Sequence, residues 1–225
     1  ALPILNITLP YEQTSNHVVA HSDKLINFYY FFVRKLNFVA ESDAMVAFPG
    51  GFGTMDEVFE TLTLIQTGKA TIYPIVLLVS PGKTFWLNWL AFIRVELVDS
   101  GLISADDLHL IHVTKNPAEA MEHIDRFYRI FHSYRFVGDS IVIRLNAQLP
   151  AQWVEHLERD FSDLILPGGK MIQSGPLPDE ADEPHLDRLP RLVFPIKRGN
   201  YGRLRLLIDR INQTPSLTYS PPTHA

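Results

Sequence analysis

The sequence contains no cysteine among its 225 residues. Disulfide bonds, thiolate nucleophiles and cysteine-ligated zinc or iron–sulfur sites are therefore excluded. A chain that uses no disulfides fits a reducing compartment. We expect a cytoplasmic protein.

Strong net charge and long apolar runs are also missing. Asp and Glu outnumber Lys and Arg by 25 to 20, and the formal net charge of −5 gives no general attraction for nucleic acid or an anionic membrane. Apolar runs such as residues 73–79 have the length of a strand, whereas a membrane-spanning helix needs about 20 apolar residues. The N-terminus lacks the basic-then-apolar order of a signal peptide. We therefore expect neither a membrane nor a nucleic-acid partner.

The most informative segment is Pro-Gly-Gly-Phe-Gly-Thr at residues 49–54. A short apolar strand precedes it, and apolar residues at helical spacing follow it. We predict a helix over 54–67, with Thr54 as its N-cap and with Asp56 and Glu57 in its first turn. Glycines allow a ligand to approach the backbone closely, and the amides and positive dipole of a helix N-terminus favour an anion such as phosphate. The segment is typical of a phosphate-binding loop.

Strand and helix signals alternate through the first part of the chain. The predicted strands cover 3–8, 44–48, 72–79 and 108–113. The predicted helices cover 17–41, 54–67, 85–100 and 117–132. This alternation predicts an α/β fold with a parallel sheet flanked by helices. Ligands of such sheets bind at the carboxyl ends of the strands, where the glycine loop lies.

The pattern changes after residue 134 and predicts a small α+β C-terminal module. Its predicted strands cover 140–146, 170–174 and 192–196, and its predicted helices cover 151–161 and 203–212. We therefore divide the chain into an α/β domain at 1–134, an α+β module at 135–213 and a flexible tail at 214–225. The proline-rich, acidic stretch 176–190 is typical of an exposed loop.

Two motifs together resemble the Lonely Guy (LOG) family. Residues 49–57 fit its Pro-Gly-Gly-x-Gly-Thr-x-x-Glu pattern, and Arg34-Lys35 fits its upstream Arg-Lys pair, with Arg34 placed 23 positions before Glu57. Two motifs at the right separation are more specific than one glycine loop. The resemblance covers residues 1–132. The family pattern also has an earlier Gly-Gly-Gly-Pro-Gly-type loop, so we expect this sequence to be a piece of a longer protein.

The resemblance implies a Rossmann-like fold, a homodimer and a nucleoside 5′-monophosphate phosphoribohydrolase. Such an enzyme splits the N-glycosidic bond of AMP or a cytokinin riboside monophosphate and releases the free base and ribose 5-phosphate. Members are often labelled lysine decarboxylases. Amino-acid decarboxylation ordinarily needs a pyridoxal-type electron sink, and no convincing Schiff-base lysine is found in this sequence. We expect no cofactor.

The chemistry of the proposed residues agrees with this reaction. A carboxylate can stabilise an oxocarbenium-like state and activate water, and Glu57 beside the phosphate loop is the best candidate. Arg34 supplies a permanent cation for the phosphate or for orienting Glu57. The resemblance assigns the phosphate and nucleotide to Gly50, Gly51, Gly53, Thr54 and Lys35. Asp56 and Glu60 are candidates to support Glu57, and no metal is needed.

Structural interpretations stay open beside these functional ones. Asp56 suits the helix dipole as well as Glu57 does, and Arg34 and Lys35 could form a solvated helix face. The same fold could also bind a nucleotide without turning it over. His17 and His21 have i, i+4 spacing without the acid of a metalloprotease motif, so we expect no metal there.

Three further groups of residues have simple expectations. The aromatic run at 28–32 is expected in the core, and Trp86 and Trp89 are expected to pack helix against sheet or to form a dimer face. The basic cluster is expected to dock on the acidic loop or to be solvated, with anion binding as the alternative. It consists of Lys197, Arg198, Arg203, Arg205 and Arg210.

Overall fold

The structure is a computed structural model that describes residues 6–8 and 25–215. One compact unit ends at Asp43 and a second begins at Ala44. In the first unit, β1 (Asn6–Thr8) pairs in parallel with β2 (Leu25–Asn27), and α1 covers Phe31–Ala40.

The long helix predicted over 17–41 is confirmed at residues 31–40 and is wrong at residues 25–30. Residues 25–27 are extended because their backbone groups pair with β1, and the helix begins only at Phe31. The expected core position is also wrong for three residues of the aromatic run: Tyr29, Tyr30 and Phe32 are largely exposed.

The second unit opens with a three-stranded parallel sheet in the order β3-β4-β5. The strands are β3 (Met45–Ala47), β4 (Ile75–Leu78) and β5 (Ile111–Thr114). Around them lie α2 (Phe52–Gln66), α3 (Phe85–Phe92), which continues as a π-helical segment over Ile93–Val98, and α4 (Pro117–Phe127). This arrangement confirms the predicted parallel sheet flanked by helices.

Apolar side chains hold this sheet and its helices together. Every residue of the central strand β4 is buried. Trp86 is fully buried and meets Trp89 edge to face, with ring centroids 5.7 Å apart, and Trp89 also contacts Phe59 of α2. Of the two alternatives predicted for these tryptophans, their burial favours packing of helix against sheet over a dimer face.

A four-stranded antiparallel sheet follows, in the order β6-β7-β9-β8. The strands are β6 (Phe131–Val137), β7 (Ser140–Leu145), β8 (Ile172–Ser174) and β9 (Arg191–Pro195). Its helices are α5 (Ala151–Asp160) and α6 (Tyr201–Asn212). These elements match the predicted α+β module, with one addition at its start.

Strand β6 was missed by the sequence analysis, as β2 was. The predicted helix over 117–132 ends at Phe127, and the chain then pairs along β7 as a hairpin. Likewise, residues 105–110 form a 3₁₀ turn capped by Ser104, so the strand predicted from residue 108 begins at Ile111. In the first case the helical pattern continues into the strand, and in the second the Ser104 cap delays the start of the strand.

Helix α6 packs against elements around both sheets within the second unit. A Cβ atom at Gly202 would collide with the backbone of Asp106, and one at Gly68 would collide with Tyr201. Asn212 accepts hydrogen bonds from the amides of Ile130 and Phe131. The domain boundary near residue 134 stays a prediction.

The predicted tail starts at Thr214, which is buried and donates its hydroxyl to the Ile211 carbonyl. Residues 216–225 lie outside the described part of the chain.

Within residues 6–8 and 25–215, no helix combines the length and apolar character that crossing a bilayer requires.

Candidate active site at the glycine loop

The glycine loop joins the carboxyl end of β3 to the start of α2. Gly51 is the N-cap, with an extended backbone (φ −86°, ψ −153°), and the amide of Met55 donates to its carbonyl at 3.2 Å. The helix therefore starts at Phe52, and the prediction that Thr54 is the N-cap is wrong. Glycine is itself an acceptable N-cap because the extended backbone needs no side chain.

Thr54 lies in the first turn of α2 and packs over the loop. A Cβ atom at Gly50 would collide with the Thr54 hydroxyl, so the loop can approach the helix this closely only with glycine at that position. Gly53, in contrast, faces open space. The loop is thus held against the helix on one side and open on the other.

The N-terminus of α2 is suited to an anion. Among the described residues, no side chain caps it, and its first turn contains no acid. The amides of that turn therefore have no acceptor within the helix. They lie at the positive end of the dipole of a 15-residue helix. Phosphate is the usual ligand of such an arrangement.

The two neighbouring acids of α2 have different surroundings. Because the helix starts at Phe52, Asp56 and Glu57 lie in its second turn rather than in the predicted first turn. Asp56 is exposed, whereas Glu57 is half-buried and its Oε2 atom is shielded from solvent. Glu60, one turn later, is also half-buried with a shielded Oε2. Geometry therefore separates Glu57 and Glu60 from Asp56, which their sequence positions did not.

Sequence reasoning missed Tyr73 as a neighbour of this site. Tyr73 lies just before β4, and its side chain and that of Thr61 on α2 are buried. Burial raises the pKa of Tyr73, the Thr61 hydroxyl works against this, and the charge of Glu57 raises the pKa further. The electrostatic effect of Glu57 reaches the Tyr73 hydroxyl. The one signal in the sequence was a tyrosine in an otherwise aliphatic run.

Arg34 and Lys35 lie on α1 and are both half-buried. They belong to the first unit, whereas Glu57 and the glycine loop belong to the second. The prediction that the arginine meets the phosphate or Glu57 therefore stays a prediction.

No metal site is found in the part of the chain that the structure describes: it contains no cluster of three His, Asp or Glu side chains placed to hold an ion. His17 and His21 lie outside the described residues.

An apolar pocket of about 120 Å³ lies on a different face of α2. Phe59, Leu62 and Gln66 of α2 line it, together with Trp89 and Ile93. It contains no residue of the glycine loop. A phosphate would find no cation there.

The basic cluster near the C-terminus does not form one patch. Arg203 pairs with Asp163 at 2.9 Å, the buried Arg205 pairs with Asp209 at 3.0 Å, and Arg198 donates to the carbonyl of Gly138. None of these contacts is with the acidic stretch 176–190, so the expectation that the cluster docks there is wrong. Each of these three arginines has a partner outside that stretch.

Comparisons with known proteins agree with the motifs. A probable cytokinin riboside 5′-monophosphate phosphoribohydrolase, LOGL2 of rice (Oryza sativa subsp. japonica), is 32% identical over 94 residues, which are 42% of this chain and 37% of that protein. LOG5 of Arabidopsis thaliana, a cytokinin riboside 5′-monophosphate phosphoribohydrolase, is 27% identical over 111 residues, which are 49% and 44% of the two chains. LOG2 of the same plant is 32% identical over 94 residues, 42% of each chain.

The matched segment thus spans less than half the length of these relatives. The family described as "Possible lysine decarboxylase" matches residues 3–124, which include both motifs. This chain belongs to that family, the LOG family.

Proposed function

We propose that the protein hydrolyses the N-glycosidic bond of nucleoside 5′-monophosphates, releasing the free base and ribose 5-phosphate. The observation that carries the proposal is the uncapped N-terminus of α2 with the shielded carboxylate of Glu57 one turn away. A phosphate site and a candidate catalytic acid on one short segment suit a substrate that has both a phosphate and a scissile bond. The relatives' names support the same reaction class.

In the binding step, the 5′-phosphate is held by backbone amides at Gly50, Gly51 and Gly53 and by the Thr54 hydroxyl. A phosphate dianion matches the helix N-terminus in charge and in hydrogen-bond donors. The family motif makes Arg34 and Lys35 further candidates to bind the phosphate. The binding energy of the phosphate then positions the ribose for reaction at its C1′ atom.

In the chemical step, the bond between C1′ and the base nitrogen breaks, and its electron pair leaves with the base. The carboxylate of Glu57 stabilises the oxocarbenium-like ribosyl group and accepts a proton from the attacking water. The water oxygen bonds to C1′, and the proton passes to the departing base. No redox step is involved, and the reaction balances with water as its only co-substrate.

We further propose AMP and N6-modified AMP of the cytokinin type as substrates, a homodimer as the working form and the cytoplasm as its location. The relatives named for cytokinin riboside monophosphates support the substrate class.

The test compares Glu57→Gln with Asp56→Asn in the full-length protein. Base release from AMP and N6-isopentenyl-AMP is followed by chromatography, and AMP binding by calorimetry. We expect Glu57→Gln to lower the rate by about 10²–10⁴-fold, the usual contribution of a general base. The exposed Asp56 is the matched control, and its variant is expected to stay within about threefold of the parent.

Glu57→Gln is expected to retain AMP binding, because the phosphate contacts come from the loop. Parental turnover by this variant would refute the assignment of Glu57. Binding of AMP by the parent without any release of base would refute the hydrolase and favour a nucleotide-binding protein.

A further inference from the structure

Three arginines lie on one face of the antiparallel sheet, on three adjacent strands. Arg144 of β7 is directly opposite Arg191 of β9, and on its other side it is opposite Ser133 of β6. Arg135 follows Ser133 by two residues and so shares its face. Like charges directly opposite each other destabilise a sheet. We call Arg135, Arg144 and Arg191 the arginine face.

The chain covers this face with an acidic loop, residues 177–189. Glu180 is the central contact: its Oε1 accepts from Arg144 Nε at 2.7 Å, and its Oε2 accepts from Arg191 Nε at 3.1 Å. Its side chain is 1% exposed, and those of the two arginines are 3% and 0% exposed. The expectation of an exposed loop is therefore wrong at Glu180, because the carboxylate has two buried cations as partners.

Two more carboxylates complete the match of charges. Glu183 accepts from Arg144 Nη2 at 2.5 Å and from Arg135 Nη1 at 2.8 Å, and Asp182 accepts from Arg135 Nη1 at 2.7 Å. The hydrogen bond from Arg144 is the main reason that the pKa of Glu183 is lowered. Burial alone would raise the pKa of Glu180, but the amide of Leu177 and the two arginines outweigh it and lower that pKa. The lowered pKa values favour the ionised forms of Glu180 and Glu183.

Charge rather than apolar burial holds the acidic loop in place. Glu180 is its only buried residue, and its leucines (Leu177, Leu186 and Leu189) are no more than half-buried. A segment with few buried apolar contacts opens at a lower free energy than the core does. Buried ion pairs are themselves weak evidence for stability, because desolvation offsets much of their attraction. The loop is therefore held mainly by its contacts with the arginine face.

The arginine face also has a hydrogen-bond donor that the loop does not use. Arg191 donates through Nη1 to the carbonyls of Leu186, Asp187 and Leu189. Its Nη2 atom is buried and, among the described residues, has no hydrogen-bond partner. A buried donor left unmatched is costly. A ligand with more acceptor atoms than the loop would satisfy it.

We propose that the arginine face is a binding site for a compact, multiply charged anion of the di- or triphosphate type, and that the acidic loop occupies this site as an internal ligand. Phosphate oxygens accept the paired N–H groups of arginine as carboxylates do. A phosphate chain concentrates in one ligand the charge that the loop spreads over three carboxylates. The site is distinct from the glycine loop and does not rest on the proposed hydrolysis.

The binding test uses sodium tripolyphosphate as the probe, in calorimetry on the full-length protein at constant ionic strength. Arg135→Gln removes a partly exposed cation, with its side chain 29% exposed, and is expected to weaken binding about tenfold, as the loss of one charged contact does. Glu183→Gln removes a competing charge of the loop and is expected to strengthen binding about tenfold. Arg198→Gln is the matched control, because Arg198 contacts Gly138 and Phe136 rather than the loop; its affinity is expected to be unchanged.

The opposite signs of the two variants separate the proposal from a purely structural ion network. If the network is purely structural, neither the parent nor Glu183→Gln binds tripolyphosphate, or Arg135→Gln leaves the binding unchanged. Either result overturns the proposal. Circular dichroism is used to check that Arg135→Gln is folded. If this variant does not fold, Glu183→Gln still tests the proposal. The same titrations are made with ATP. If only tripolyphosphate binds, and Arg135→Gln weakens it, the ligand is a free phosphate chain. If ATP binds more tightly than tripolyphosphate, and Arg135→Gln weakens it, the ligand is a nucleotide.

Displacement of the loop has its own readout in limited proteolysis. Arg188 is exposed and provides a trypsin site within the acidic loop. Tripolyphosphate is expected to speed cleavage after Arg188 at least severalfold, whereas sodium chloride at the same ionic strength does not. Protection of this bond by tripolyphosphate, or no change, would contradict the claim that the loop and the anion compete.

Discussion

The parallel and antiparallel halves of the second unit treat polar side chains in opposite ways. Around the parallel sheet, the interior is apolar except for hydroxyl groups such as that of the buried Thr61, and the polar residues Thr54 and Glu57 lie in the first two turns of α2. The antiparallel half buries Arg144, Glu180 and Arg191 and pairs them with one another. The polar groups of the first half belong to the proposed phosphate site, whereas those of the second half are paired within the chain. The difference is between a proposed site at the glycine loop and an ion network formed by the chain itself.

The largest expected effect concerns the apolar interior of the parallel half. Trp86→Ala is expected to lower the free energy of unfolding by about 3–5 kcal/mol, because it removes a fully buried ring and leaves a cavity. Its neighbour Leu87 is partly exposed, and Leu87→Ala is expected to lower it by less than about 1 kcal/mol. Urea unfolding measures both. Equal losses would show that apolar burial is not what holds this half.

The next effect tests the contact between the two halves. Gly202→Ala places a methyl group against the backbone of Asp106 and is expected to lower the free energy of unfolding by about 1–3 kcal/mol. Gly53→Ala is the matched change in a helix, because a Cβ atom at Gly53 would face open space. It is expected to leave the free energy of unfolding unchanged or to raise it by up to about 1 kcal/mol through the higher helix propensity of alanine. Chemical denaturation of the two variants provides the comparison. A neutral Gly202→Ala would mean that α6 can move away from the 3₁₀ turn at low cost.

The smallest effect is the pH dependence at His123 of α4. Its ring stacks on His112 at 3.9 Å, and Arg205 lies 3.1 Å from its Nε2. Burial is the main cause that lowers its pKa to about 3, and the charges of His112, Arg205 and Arg126 add to it. The native state therefore keeps this imidazole neutral, while the unfolded chain takes up a proton near the ordinary pKa of about 6.5.

The neutral His123 therefore makes its full contribution to the free energy of unfolding well above pH 6.5. This contribution falls as the pH drops through 6.5 toward 3. Between pH 7.5 and 5.5 the expected loss is about 1.4 kcal/mol. His123→Gln retains an acceptor for Arg205 and is expected to remove that loss, whereas His156→Gln, at an exposed position on α5, keeps it. Urea unfolding at the two pH values gives the difference. An unchanged slope in His123→Gln would place the proton elsewhere.

Local sequence signals predicted much of the fold. Strands β3, β4, β7 and β9 and helices α2, α5 and α6 were found close to their observed positions, because each has its apolar period within its own residues. β6 was missed because the helical pattern of α4 runs on into it and its strand partner β7 lies later in the chain. β2 was missed because its pairing with β1 spans about twenty residues.

The candidate site was predicted in its residue types but not in its geometry. The glycines, Thr54 and Glu57 follow from one motif. The start of α2 at Phe52, the exposure of Asp56 and the buried Tyr73 near Glu57 do not, because the motif states neither where the helix begins nor which of its faces meets the sheet. The role of Arg34 stays a prediction from the motif.

The order of residues along the chain is enough to specify the family, the α/β class and the glycine loop, because short-range periodicity, glycine and helix capping act within a few residues. Burial of Glu180 against Arg144 and Arg191 is different. In the sequence this is an acidic, proline-rich stretch of the kind that is usually solvated, and its partners lie 36 and 11 residues away. Only folding brings those charges together, and only their removal from water makes each of them depend on the others.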